Sequence, residues 1–161
     1  WRGAGSIDPA PPFGAMWMAQ EWFATITFGY DLDTLYLRLD PGKNLLESET
    51  ALTIEVHAHV EAHAYKLTFS GTEPVVGEYV CWHASAAEDV FTNTGLASTI
   101  CRDAVIEMGI PFARLEAKPG QEIRVAIVVT KEGMELERIP RHAPLVIQVP
   151  DATFEASMWR V

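Results

Sequence analysis

The sequence predicts an all-β domain, an antiparallel β-sandwich of the immunoglobulin-like kind. Apolar and polar residues alternate with the period of two that half-buried strands show. Turn-forming residues recur every ten residues or so, and no segment keeps a helical period. Such a series of short strands is typical of a sandwich or a closed barrel. At 161 residues the chain has the length of one domain, and we interpret residues 1–161 as a single module.

The first strand prediction is a hairpin. Residues 22–30 combine aromatic and β-branched side chains, and strict alternation from residue 22 would place Trp22, Ala24, Ile26, Phe28 and Tyr30 on one face. Leu35, Leu37 and Leu39 then alternate with polar residues. Asp residues in the short segment 31–33 favour a turn between the two segments. These patterns together predict two paired strands.

A second alternating run extends from Ala51 to Phe69. Its first part is apolar on one face from Leu52 to Val60, and the parity then changes near Ala64. A change of parity indicates a bulge or a turn between two strands.

The rest of the chain predicts further strands and loops. We expect an irregular arm at 1–20, strands at 75–82 and 100–108, a long loop at 84–98, a helical turn at 110–115, and strands at 123–129, 136–139 and 145–149.

Charge and composition restrict the classes of partner. The chain has 12 Lys and Arg against 22 Asp and Glu, a net charge of -10. This predicts no nucleic-acid partner and no anionic membrane partner, because both bind clustered cations. Two cysteines, Cys81 and Cys101, are too few for a disulfide framework, and we expect buried free thiols rather than a bond between the two. Since no signal peptide is visible, we expect a cytoplasmic protein; the chain starts at Trp1 rather than Met, which leaves secretion open.

One hairpin carries a family resemblance. The stretch FATITFGYDLDTLYLRLDP resembles the carboxy-terminal β-sandwich of glycoside hydrolase family 57 proteins. GAMWMAQEW upstream and IEMGIPFARLEAKPGQEIRVAIVV downstream are similar to segments of the same module, as are ELERIP and VPDATFEASMWRV. Much of this pattern is shared with family 9 carbohydrate-binding modules and DOMON domains, so a carbohydrate-binding-module-like sandwich is implied.

The resemblance implies a non-catalytic accessory module. Its partner would be the catalytic domain of the same polypeptide, an α-glucan-acting barrel, and the module could also contact an α-glucan oligosaccharide. The paired carboxylates of a glycosidase would belong to that barrel, so this chain is not expected to be an enzyme by itself. Two alternatives remain open: a free-standing carbohydrate-binding module, and a DOMON-like domain that binds haem or a metal, for instance through Met134 and His83.

Aromatic and cationic side chains are the candidates for contact with sugar or with the catalytic domain. Aromatic rings stack on the apolar faces of sugars, and polar groups fix the orientation of the ligand. The residues we select are Trp17, Tyr36, Arg38, Trp82, Arg138 and Arg141.

Two groups of residues are candidates for a metal site. Asp31, Asp33 and Asp40 bracket the hairpin, and carboxylate oxygens are what a structural calcium prefers. Alternatively His57, His59 and His63 occur at alternate positions, as imidazole ligands on one strand face would. The competing interpretations are ordinary turn aspartates and a solvated polar stripe.

Overall fold

Strands account for most of the described chain, as the alternation predicts. The computed structural model describes residues 4–7, 22–72, 76–85, 90–102 and 104–153. In these ranges the strands are β1 Gly5–Ile7, β2 Phe23–Tyr30, β3 Thr34–Pro41, β4 Thr53–Val60, β5 His63–Ser70, β6 Val76–Ser85, β7 Thr92–Arg102, β8 Ile106–Pro111, β9 Glu122–Lys131, β10 Met134–Ile139 and β11 Leu145–Gln148. Two single helical turns accompany them, α1 Lys43–Leu46 and a 3-10 turn at Phe112–Leu115.

The fold is an antiparallel β-sandwich, which confirms the predicted fold class. The strands pair in the order β1-β2-β3-β8-β7-β6-β5-β4-β9-β10, and β11 also pairs with β9. The two sheets of the sandwich are connected through β7, because only its residues 100–102 pair with β8. One edge of β9 pairs with β4, and two strands divide its other edge. Strand β10 pairs there with residues 127–131, and β11 pairs with residues 122–125.

The inner faces of the strands share one hydrophobic core. In β3 the alternate residues Leu35, Leu37 and Leu39 are fully buried, as are Ile54 and Val56 in β4. Burial of each such side chain stabilises the fold by about 1.5–3 kcal/mol. Since consecutive residues of a strand point to opposite faces, the residues between them are directed outward.

The predicted hairpin of β2 and β3 is confirmed with one correction, and the parity change near Ala64 marks a turn rather than a bulge. Asp31 closes the turn between β2 and β3, and a left-handed Glu61 (φ 50°) lies in the turn between β4 and β5. The correction concerns the start of β2, where the register shifts between Phe23 and Thr25. This bulge buries both Trp22 and Phe23 and leaves Ala24 exposed, so strict alternation from residue 22 was wrong.

The long loop predicted at 84–98 is wrong at residues 84–85, which end β6, and from residue 92 onward. The latter segment belongs to β7, which pairs with β6 despite register shifts near Val80 and Cys81. Bulges and a positive φ at Gly95 disrupt the alternation that a sequence pattern needs. The single strand predicted at 100–108 is instead the end of β7 and the start of β8, paired with each other.

The two helical turns, strand β1 and the two cysteines agree only in part with the sequence predictions. The helical turn predicted at 110–115 is confirmed at Phe112–Leu115, whereas α1 was not predicted. Part of the expected irregular arm, Gly5–Ile7, forms a short strand on β2. Both cysteines are free, as expected, but only Cys81 is buried.

Tyr65 places a polar group inside the core. Its side chain is 3% exposed, and its hydroxyl has no hydrogen-bond partner among the described residues. Desolvation by burial, with a smaller effect of Glu116, raises the pKa of Tyr65 to about 12. A buried polar group without a partner costs about 1–3 kcal/mol.

Replacing Tyr65 by Phe is therefore expected to raise the free energy of unfolding by about 1 kcal/mol, measured by urea denaturation at pH 7. The folded pKa of about 12 lies above the ordinary value of 10, so the parent protein loses stability as the pH rises from 10 toward 12. Tyr65→Phe should remove that component of the loss. Tyr36→Phe is the control, because it deletes a hydroxyl that donates to Asp31, and it should not stabilise. A Tyr65→Phe variant less stable than the parent at pH 7 contradicts the prediction.

Candidate functional site

Asp31 organises the hairpin that carries several predicted site residues. Its Oδ1 accepts the backbone N–H groups of Asp33 and Thr34 at 2.9 and 2.8 Å. Its Oδ2 accepts the hydroxyl of Tyr36 at 2.8 Å. Desolvation opposes the shift, but these hydrogen bonds lower the pKa of Asp31 below its ordinary range. The carboxylate is therefore engaged in holding the turn and the Tyr36 ring.

Tyr36 occupies an open strip on the outer face of its sheet. It lies opposite Gly29 of β2 on one side and Gly109 of β8 on the other. The ring passes 3.6 Å from the position that a Cβ would take at Gly109. Because both neighbours lack side chains, Tyr36 remains 40% exposed although its strand is central to the pairing.

Arg38 and Asp40 continue the outer face of β3 beyond Tyr36. The guanidinium Nε of Arg38 lies 2.9 Å from Asp40 Oδ1, and Nη1 lies 3.8 Å from Glu107 on β8. These charged groups share a face with the Tyr36 ring, because residues two apart on a strand point the same way. The structure thus joins Tyr36 and Arg38 in one surface.

The proposed calcium ligands are not brought together. Asp40 lies seven residues from Asp33 along an extended strand, roughly 23 Å at 3.3 Å per residue, and it pairs with Arg38. Within the described ranges no three His, Cys, Asp or Glu side chains form a group that could hold a metal ion. A structural calcium stays a prediction.

Trp82 lies on the outer face of the other sheet. Its indole N–H donates to Thr68 at 3.2 Å, and the ammonium of Lys66 lies 5.8 Å from the ring centroid. The same ammonium lies 5.1 Å from the ring of Phe91. Trp82 is half-buried, and the ammonium of Lys66 lies over its ring.

The His57, His59 and His63 run is divided by the β4–β5 turn. His57 and His59 alternate with buried apolar residues and point outward. His63 begins β5 with the parity of the buried Tyr65, and its Nδ1 lies 3.0 Å from Nε2 of His83. The parity change comes before His63 rather than after it, so the third imidazole lies on the opposite face of the sheet from the other two. His83, in turn, lies four strands from Met134 in the pairing order.

The outward histidines instead line a basic cleft. The cleft lies where β9 passes from β10 to β11, beside the loop 140–144, and has a volume of about 200 Å³. Ala126 forms part of its floor, and it lies between the residues of β9 that pair with the two strands. We define the basic cleft by its lining side chains, which are His57, His59, Arg124, Ala126, Arg138, Pro140, Arg141, His142, Ala143 and Pro144.

Glutamates hold two of the cleft arginines in place. Arg138 donates from Nε and Nη2 to Glu135 at 3.1 and 2.6 Å. Arg141 donates from the same two atoms to Glu137. Neither glutamate lines the cleft. The third arginine, Arg124, is 62% exposed and lies 3.8 Å from Glu122.

The pKa of His59 reflects the burial and the positive charges around the cleft. Desolvation lowers its pKa most, and the positive charges of His57, Arg138 and Arg124 lower it further. The neighbouring His57 bonds Glu55 at 2.7 Å, and this bond lowers the pKa of Glu55.

A second recess of about 320 Å³ continues from the cleft along β4 and β9. It shares His59 and Arg124 with the basic cleft, and Glu61, Gln121 and Glu122 complete its lining. Because Glu61 and Glu122 line this recess, the surface beyond Arg124 is no longer lined by cations alone.

Sequence reasoning found part of this site. Arg138 and Arg141 were selected as contact residues, and His57 and His59 as metal ligands; the structure brings these four together. Arg124 and His142 were missed, although Arg124 shares the outward parity of the β9 alternation, which was a usable signal. Trp17 lies outside the described residues.

Comparison with protein-family models, curated proteins and solved structures found no match to this chain. In the described ranges, neither helical turn has the length and apolar character needed to cross a membrane.

The charge of Arg138 is expected to set part of the His59 pKa. Arg138→Gln should raise the pKa of His59 toward its ordinary value, because it removes one of the positive charges that oppose protonation. A titration of the histidine ring signals by NMR measures this. Arg114→Gln, on the exposed 3-10 turn and outside the cleft, is the control and should leave the value unchanged. An unchanged pKa of His59 in Arg138→Gln contradicts the prediction.

Proposed function

We propose that this chain is a non-catalytic accessory module of a carbohydrate-active protein and that it contacts an α-glucan through the outer face of β3. The observation that carries the proposal is Tyr36, an exposed ring between two glycines with its hydroxyl held by Asp31. The hairpin that presents this ring is the segment that most resembles the carboxy-terminal sandwich of glycoside hydrolase family 57 proteins.

The geometry around Tyr36 supports sugar stacking. Sugars present apolar C–H faces that pack on a flat ring, while their hydroxyls need hydrogen-bonding groups at the edge. Arg38 and Asp40 supply both donors and acceptors on the same face, at the next outward positions of the strand. Fixing the phenol by Asp31 reduces the entropy lost when a ligand binds.

The accessory role assigns the reaction to another domain. A retaining glycosidase needs two carboxyl groups about 5 Å apart beside the scissile bond. On the Tyr36 face, Asp31 is engaged in the turn and Asp40 pairs with Arg38, so these carboxylates serve structure and contact. In this proposal the catalytic barrel of the same polypeptide supplies the acid and the nucleophile.

Binding is tested by isothermal titration calorimetry with maltooligosaccharides. We expect saturable binding by the parent protein and about tenfold weaker binding by Tyr36→Ala, a loss of about 1.4 kcal/mol. The matched control is Leu32→Ala, which removes a side chain of similar exposure (39%) from the adjoining turn and should bind as the parent does. Absence of binding at millimolar ligand, or equal losses in both variants, contradicts the proposal.

The accessory assignment has its own test. The gene should encode an α-glucan-acting catalytic barrel in the same reading frame as this module. Sequencing of the surrounding coding region decides this, and a frame that encodes this sandwich alone contradicts the accessory role while leaving glycan binding to be judged by calorimetry.

A further inference from the structure

We propose that the basic cleft is a binding site for an oxyanion: a carboxylate, sulfate or phosphate group. The proposal does not depend on glycan contact at Tyr36, since the cleft is built on β4, β9 and β10 and the Tyr36 face on β3.

Arginines are concentrated in the cleft. The chain has a net charge of -10 and only 12 Lys and Arg. Three of these twelve line one cleft of about 200 Å³, beside the imidazole rings of His57, His59 and His142. No carboxylate of the described chain is among the lining side chains. On so acidic a protein, a lining of this sign favours ligands of negative charge.

Two of the cleft arginines keep free hydrogen-bond donors. A guanidinium has five N–H donors, and the bonds of Arg138 to Glu135 use two of them. Arg141 uses two with Glu137. No residue of the described ranges accepts the remaining donors of either side chain. The arginines are thus oriented by one anion each and retain donors for another.

The guanidinium groups of Arg138 and Arg141 are preorganised. Glu135 and Glu137 come from the same strand as Arg138, on either side of the bulge in β10, and Glu137 is only 8% exposed. They fix both guanidinium planes before any ligand arrives, which lowers the entropic cost of binding. Planar, bidentate donation is the geometry by which arginine recognises carboxylates and phosphates.

The volume of the cleft limits what it holds. The cleft itself has about 200 Å³, below the roughly 300–1,000 Å³ of pockets for drug-sized ligands. The cleft therefore suits a small anion or the charged end of a larger ligand. Pro140, Ala143 and Pro144 form an apolar side that fits the carbon atoms next to such a group.

The competing explanation is that the arginines serve only their ion pairs with glutamate. The two explanations differ at Arg124, which is 62% exposed and 3.8 Å from Glu122. An exposed pair of this length contributes little to stability. Arg124→Gln should therefore leave the fold intact, and it changes anion binding only if the cleft binds anions.

The test is titration with inorganic phosphate and with sulfate, followed by the NMR signals of the cleft histidines and by thermal unfolding. Sodium chloride at matched ionic strength controls for screening. We expect saturable shifts and a rise in Tm with ligand concentration. Arg124→Gln should weaken binding about tenfold or more, the effect of one charge-assisted hydrogen bond. His59→Gln is a second cleft variant, and Arg114→Gln is the matched control outside the cleft.

Each outcome decides the proposal. Shifts that do not saturate, that sodium chloride reproduces, or that persist unchanged in both Arg124→Gln and His59→Gln overturn it. A further comparison of acetate with an oligogalacturonate identifies the source of the anion: tighter binding of the oligosaccharide points to an acidic sugar, and equal binding to a free anion. Neutral maltooligosaccharides should leave the cleft histidines unaffected, so failure here and failure of the Tyr36 proposal are distinguishable.

Discussion

The shared hydrophobic core is the constraint on which the other features depend. Strands β3, β4, β5 and the first half of β9 bury alternate side chains, as Leu37 and Ile54 do at complete burial, and their remaining positions are directed outward. This rule decides that Tyr36, His57 and Arg124 all reach the surface of their sheets. It also forces His63, one residue past the β4–β5 turn, to the inner side, where it bonds His83 rather than joining His57.

The exposure of an outward aromatic ring depends on the side chains of the neighbouring strands. On β3 the flanking glycines leave Tyr36 in an open strip, whereas on β6 the side chains of Thr68 and Lys66 contact Trp82. An outward position in a strand therefore does not by itself make an aromatic ring accessible to a stacking ligand. The residues on the two adjacent strands decide whether its ring is available, and for Tyr36 one of those strands, β8, is distant in sequence.

The basic cleft arises from an interruption in strand pairing. Two strands, β10 and β11, share the outer side of β9, and the loop between them passes Ala126. Pro140 and Pro144 border this gap, and neither has a backbone N–H to pair with β9. The irregular backbone leaves space, and the arginines of β9, β10 and the loop surround it. Glutamates behind them reduce the repulsion that such a cluster of cations creates.

The sequence by itself determined the class of fold and the inward or outward direction of most residues, because a period of two is a local property of each strand. It also determined the β2–β3 hairpin, whose turn is short, but left open whether a bulge or a turn joins β4 to β5. It did not determine β7, where bulges and Gly95 disrupt the alternation. Only the tertiary structure decided that His57 and His59 would face Arg124 and Arg138. Pairing of β4 with β9 joins segments far apart in the chain, and it is set by how the whole core packs, for which no local pattern exists.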